Sequence, residues 1–241
     1  EAPGTYHHSV VISSLAERAA EAVGADALLA RVGAYYHDIG KIVRPYLYIE
    51  NQVNGANIHD TLDPLTSAKA VMSHVSDGLD LGRKHRLPQR VLDMIPQHHG
   101  TKLTGFFYAR AHEAGVDVDE DDFRYPGPKP QTKEAGILML ADGVEATVRS
   151  SRDHAPEVID RIARETIAAY VADGQLNECD LTLRDLEKVR AAFSGVLQGV
   201  YHPRIQYPSA AIPQLPSGSA SLDALPEGDG DNKQQTRGRS R

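Results

Sequence analysis

The chain has 241 residues, 41% hydrophobic and 24% charged, with a formal net charge of −7. This is the composition of a globular chain with room for one large domain or two small ones. Its single cysteine, Cys179, excludes a disulfide scaffold and a cysteine-held zinc site, while the negative balance argues against a DNA or RNA polymer as partner.

No apolar run approaches the roughly 18 residues needed to cross a bilayer. In chain order, a helix is expected from about Thr5 to Val23, with His8 in register with Ile12, Leu15 and Ala19 and therefore facing inward, while His7 points away. A second helical run through Leu28, Leu29 and Val32 ends at His37-Asp38, just before Ile39-Gly40-Lys41. Asp63-Pro64, Leu87-Pro88 and Ala155-Pro156 each put a proline where a first helical turn tolerates one, and Thr182 to Asp185 has the pattern of a capping box. Apolar residues recur at helical spacing at Leu65, Ala68, Met72 and Val75, and again at Ile137, Ala141, Val144 and Val148. Leu186, Val189, Phe193, Val196 and Val200 repeat the pattern, so the expected fold is an all-α bundle over residues 1–208. Two long connections interrupt it, Lys41 to Asp63 and Thr101 to Gln131. Residues 209–241, rich in Gly, Ser, Pro, Asp, Gln and Arg, are expected to form a disordered tail, having too little apolar surface to offset the entropy of ordering.

Eleven histidines, against four phenylalanines and no tryptophan, carry the functional signal. Taken singly, His8 and His74 suit a buried histidine bonded within the core. His98-His99 is harder to explain that way. Adjacent imidazoles driven inward by Val91, Leu92 and Ile95 would repel if both were charged, and a metal takes both as neutral ligands. Asp142 lies on the flank of an apolar helix, where an ionised carboxylate needs a cation or several donors. Together these positions offer five imidazoles and two carboxylates, more than one ion can use. Two ions are therefore expected, bridged by Asp38 because its neighbour His37 commits to one of them. Without cysteine the donor set suits iron or manganese rather than structural zinc.

Read as a set, His8, His37-Asp38 with Gly40-Lys41, His74, His98-His99 and Asp142 resemble the dinuclear, seven-ligand form of the HD-domain phosphohydrolases. More closely, residues 4–9, 33–41, 97–101, 123–130 and 140–142, together with Asp173-Gly174-Gln175-Leu176 and His202-Pro203-Arg204, resemble the cytoplasmic hydrolase domain of the seven-transmembrane-receptor HD proteins. That resemblance implies a cyclic di-AMP phosphodiesterase, yielding linear pApA, cut from a longer membrane-anchored protein. It further implies that one ion takes His8, His37, Asp38 and Asp142, and the other His74, His98, His99 and the same Asp38. The HD proteins with a Gly-Tyr-Pro signature, which act on cyclic di-GMP, are disfavoured because Gly100-Thr101-Lys102-Leu103 follows the paired histidines here.

Two divalent ions offset by two aspartates leave a positive centre able to receive a phosphate, and such ions lower the pKa of water enough to supply a nucleophile near neutral pH. Lys41 is expected to neutralise charge developing on that phosphate. With Lys41, Thr101, Arg124 and Tyr125 of the quoted motifs are the expected substrate contacts. Two other readings stay open: an HD hydrolase of cyclic di-GMP or a deoxynucleotide triphosphate, and a nucleotide-binding module without turnover.

Overall fold

Asp26, Asp63, Thr132 and Thr182 each accept a backbone N–H from the first turn of the helix that follows, so four helix starts are written into the sequence as side-chain caps. The computed structural model describes residues 2–52 and 57–201, and among these it has eight α-helices and no strand. They are α1 (Pro3–Val23), α2 (Ala27–Tyr36), α3 (Pro64–Lys84), α4 (Gln89–Gln97), α5 (Gly105–Glu113), α6 (Lys133–Ser150), α7 (Pro156–Ala172) and α8 (Leu183–Val200). The all-α expectation is borne out. So is the capping box, in which Thr182 and Asp185 each accept the other's backbone N–H. Pro64 and Pro156 open their helices as expected, whereas Pro88 sits one position earlier, at the cap of α4.

The helix α6 is buried nearly all round and forms the axis of the bundle. Its Ile137, Leu138, Leu140, Val144 and Val148 share one core with Ile12 and Leu15 of α1, Ile159 of α7, and Val189, Phe193 and Leu197 of α8. Each such side chain withdrawn from water contributes roughly 1.5 to 3 kcal/mol. Around this axis, α1, α2, α4, α7 and α8 all pack on α6.

The two expected long connections are not structureless. In the first, the described residues 41–52 and 57–63 include short 3-10 turns at Pro45–Leu47, Ile49–Asn51 and Ile58–Asp60. Residues 101–131 contain α5 and a 3-10 turn at Glu120–Phe123. A nine-residue segment is too short to hold a helix alone. Packing decides instead, since Phe107 and Ala111 of α5 close a small second core with Ala68 and Phe123. The start of α1 has no side-chain cap of its own; Asn51 serves from the first connection, its Oδ1 accepting the N–H of Gly4 at 3.0 Å and of Thr5 at 3.2 Å. Among the described residues no helix is long and apolar enough to cross a membrane. The tail expected over 209–241, and its boundary at 208, lie outside the described residues.

Candidate metal centre

Five helices deliver the seven expected ligands to one place. His8 lies two turns into α1, on the buried side with Ile12, Leu15 and Ala19, while His7 is exposed. His37 caps the C-terminus of α2 and Asp38 follows it; His74 is midway along α3; His98 and His99 close α4; Asp142 is on α6. Gly40 makes the approach possible. A Cβ there would lie 1.9 Å from the His74 carbonyl oxygen, so only glycine lets the turn after Asp38 rest on the backbone of α3.

Asp38 then divides its two oxygens between two histidine sets. Its Oδ2 is 3.3 Å from His37 Nε2 and 3.8 Å from His8 Nε2; its Oδ1 is 3.4 Å from His74 Nε2 and 3.7 Å from His98 Nε2. Asp142 Oδ1 joins the first set, 3.1 Å from His8 Nε2 and 3.9 Å from His37 Nε2, and His99 joins the second. Ligand atoms about 2.1 Å from a common ion stand roughly 3 to 3.5 Å apart, so the spacings suit metal coordination with little movement.

The hydrogen bonds leave the inward atoms bare. His37, His74 and His98 donate Nδ1–H to the carbonyls of Ala34, Val71 and Ile95, each three residues back, at 2.7, 2.7 and 2.5 Å. A carbonyl only accepts, which fixes the tautomer and leaves each Nε2 as a lone pair. Those three Nε2 atoms, Asp38 Oδ1 and His99 Nδ1 are buried without a hydrogen-bond partner, while Asp38 Oδ2 meets only the Lys41 ammonium. Buried polar atoms are rarely left so. Five converging bare acceptors, with a carboxylate oxygen beside them held only by a lysine, are a donor set for cations, and the residues present fit a divalent metal site.

Protonation follows the same division. Burial and the neighbouring His37 press His98 down to about 3; burial and the imidazoles of His98 and His74 hold His99 well below its ordinary value, and His74 is lowered by burial. Burial opposes ionisation of Asp38, yet the Lys41 ammonium beside it keeps its carboxyl well below the usual carboxylate range. Asp142 is likewise held low, against burial, by its hydrogen bond and charge interaction with His8. His8 is the exception: burial disfavours its cation, but hydrogen bonds to Asp142 and Glu145 outweigh it and raise the imidazole to about 9. In the metal-free state a proton on His8 supplies positive charge beside these carboxylates.

Lys41 is tucked against the cluster, its Nζ 2.8 Å from Asp38 Oδ2 and 2.9 Å from Glu50 Oε1. It also borders a cleft of about 370 Å³ with Tyr48, His74, His99, Phe106 and Tyr125. Tyr125 stacks on His99, ring centroids 4.1 Å apart. Thr101 and Arg124 make bonds within the protein: Thr101 N–H donates to Gln175, and Arg124 donates to Glu120 and to the Thr101 carbonyl. Two residues escaped the sequence reading. Glu145, whose Oε2 lies 2.7 Å from His8 Nδ1, was signalled only by its place one turn after Asp142 on the same buried face. Glu50 stands in a connection without periodicity, and no spacing marks it.

Comparison with known proteins agrees with this geometry. The HD domain family matches residues 5–147. The cyclic-di-AMP phosphodiesterase PgpH of Bacillus subtilis is 50% identical over 210 residues, 87% of this chain and 30% of the relative; that of Listeria monocytogenes is 47% identical over 208 residues, 86% and 29%. This chain thus spans about 30% of the length of those curated relatives. The crystal structure of the L. monocytogenes PgpH HD domain in complex with cyclic-di-AMP superposes with a TM-score of 0.81 at 46% identity, covering 86% of this chain and 96% of that one. With its histidine-aspartate cluster in place and the family matched across more than half its length, the chain belongs to the HD domain family.

Proposed function

We propose that this domain is a metal-dependent phosphodiesterase that opens cyclic di-AMP to linear pApA. The observation that carries the reading is the division of Asp38, one oxygen toward His8 and His37 and the other toward His74 and His98, with the facing Nε2 lone pairs of His37, His74 and His98 bare and buried. His8, His37 and Asp142 would hold one ion, His74, His98 and His99 the other, and Asp38 both. The absence of cysteine among these ligands favours manganese or iron. Two such ions supply Lewis acidity and a water acidic enough to attack phosphorus near neutral pH.

The remaining work falls to the chain's own groups. Lys41 stays charged, since burial disfavours its cation but Asp38 and Glu50 more than offset that. Its ammonium borders the cleft and can turn toward a phosphate oxygen as negative charge grows there. Tyr125 holds His99 in place and closes the cleft wall; Phe106, exposed at the cleft, offers a ring face to a nucleobase, while the buried Tyr48 carries the Lys41 ammonium over its own ring. The substrate class is supported by relatives whose names carry cyclic di-AMP and by the 46% identical domain bound to it. We propose further that the domain is the cytoplasmic output portion of a longer, membrane-anchored protein, consistent with the share of its relatives that it spans.

The test is metal analysis of the purified domain with turnover of cyclic di-AMP and cyclic di-GMP measured in parallel. Close to two ions per chain, with faster opening of cyclic di-AMP, is expected; Asp38→Ala should disturb both ions and His8→Ala chiefly one. Saturation at one ion with His74→Ala harmless would end the dinuclear reading, and preference for cyclic di-GMP would end the base assignment.

A further inference from the structure

His99 lacks the anchor that its fellow ligands have. His37, His74 and His98 are each pinned by Nδ1–H to a carbonyl in their own helix, and His8 by Glu145, whereas His99 Nδ1 is one of the bare acceptors and neither His99 ring nitrogen makes a hydrogen bond among the described residues. The orientation of its ring must therefore come from the backbone after it and from the Tyr125 ring stacked on it.

That backbone is gripped from a part of the fold that supplies no ligand. Gln175, buried in the corner between α7 and α8, accepts the Thr101 N–H on Oε1 at 3.0 Å. Its Nε2 donates to Thr101 Oγ1 at 3.0 Å and to Asp173 Oδ2 at 2.8 Å. The Thr101 carbonyl takes Arg124 Nη1 at 2.9 Å, and Arg124 Nη2 lies 3.7 Å from Asp173 Oδ1. Thr101, Gln175, Asp173 and Arg124 thus form a closed ring of polar contacts. Between that ring and His99 stands only Gly100, at φ +54°, where a Cβ would meet Gln175 Oε1 at 2.5 Å and Met139 Cε at 2.8 Å. A wedged glycine leaves no slack, so the position of Thr101 is passed to His99. The same ring reaches His99 from its other side, because Tyr125 follows Arg124 in the chain.

We propose that Gln175 is a positioning residue for the ion held by His74, His98 and His99, acting through the Thr101 backbone, and that Thr101 and Arg124 serve this clamp rather than the substrate. The inference rests on the dinuclear reading above. Its prediction is selective. Loosening the clamp should weaken one ion and spare the other, whose ligands His8, His37 and Asp142 lie on α1, α2 and α6 with no bond to the ring.

Manganese titration of the unaltered domain, of Gln175→Ala and of the paired variant Gln175→Glu with Asp173→Asn tests it. The unaltered protein should take two manganese ions. In Gln175→Ala one of the two should bind about 10-fold to 100-fold more weakly, as happens when an outer hydrogen-bond partner is lost, with the other within about twofold of normal. The paired variant exchanges donor and acceptor between positions 173 and 175, keeps an acceptor for Thr101 N–H, and should recover most of the loss. Should Gln175→Ala fail to fold, Thr101→Val, which keeps the N–H and drops only the hydroxyl, should give a smaller loss on the same single ion. Equal weakening of both ions, or of neither, would overturn the proposal. A single manganese on the unaltered protein would remove the dinuclear reading and the proposal with it.

Discussion

Glu145 Oε2 lies 2.7 Å from His8 Nδ1 with both side chains buried, so the one histidine contributed by α1 is oriented by a carboxylate on α6. The pair ties two central helices together across the site. An anionic partner raises the basicity of the imidazole and turns its Nε2 toward Asp142 and Asp38. Glu145→Ala is expected to weaken the ion on the His8 side about 10-fold to 100-fold while the other ion stays. It should also cost about 1 to 3 kcal/mol of stability for the stranded Nδ1–H. Glu145→Gln, whose amide oxygen still accepts, should restore stability more fully than metal affinity. Metal titration alongside thermal melting separates the two effects, and unchanged metal binding in both variants would refute the orienting role.

Lys41 is bound at once to Asp38 and Glu50, so its removal has two consequences to be told apart. Lys41→Met should keep both ions and lower turnover on the order of 100-fold, the usual cost of lost charge stabilisation in a transition state. It also leaves Glu50 largely buried beside no cation. Lys41→Met with Glu50→Gln removes that stray charge, and the turnover deficit should persist. Recovery of turnover in the double variant would show that Lys41 merely neutralises Glu50. A raised KM with kcat intact would make it a uniform binding contact.

Gly40→Ala places a methyl group against a backbone carbonyl that cannot swing aside. Overpacking of this kind typically costs about 1 to 3 kcal/mol or more. Because the displaced segment carries His37 and Asp38, metal content should fall together with the melting temperature. A variant that melts normally and keeps two ions would disprove the close approach.

The metal-free domain should be most stable near pH 6.5 to 7. His8 is raised from 6.5 to about 9, so its contribution is complete below 6.5 and is lost as pH climbs through 9. His74, His98 and His99 are lowered; they stay neutral in the fold but charge in the unfolded chain, so stability also falls as pH drops below 6.5. Asp38 and Asp142 extend that acid loss, since their stabilisation is present above 3.8 and disappears as pH falls through their depressed values. Urea unfolding at pH 5, 6.5 and 9 checks the shape. A steady rise from 5 to 9 would contradict the placement of His8 between two carboxylates.

The helix faces were legible because burial enforces a period: His8 could be aligned with Ile12, Leu15 and Ala19 from spacing alone, and α1 does bury all four. The gathering of His8, His37, Asp38, His74, His98, His99 and Asp142 was legible only as a set, since His8 or His74 alone suits a core histidine whereas the adjacent pair His98-His99 does not. What the sequence hides is whatever depends on contacts between distant segments. Phe107 and Ala111 make α5 a helix only by meeting Ala68 and Phe123. Asn51 caps a helix 46 residues earlier in the chain. Gln175 reaches Thr101 across 74 positions, and no periodicity links such pairs.

The local anchoring of His37, His74 and His98 has a consequence for how an ion is captured. Each ring is bonded to the carbonyl three residues back, so its rotamer is set by a neighbouring turn of its own chain. The conformational entropy of those three side chains, up to about 2 kcal/mol for a long side chain, is given up when the chain folds and not when metal arrives. An incoming ion therefore meets lone pairs that already point the right way. Its binding free energy goes almost undiminished into holding the helices together, and capture should be fast and limited by access through the cleft rather than by side-chain search.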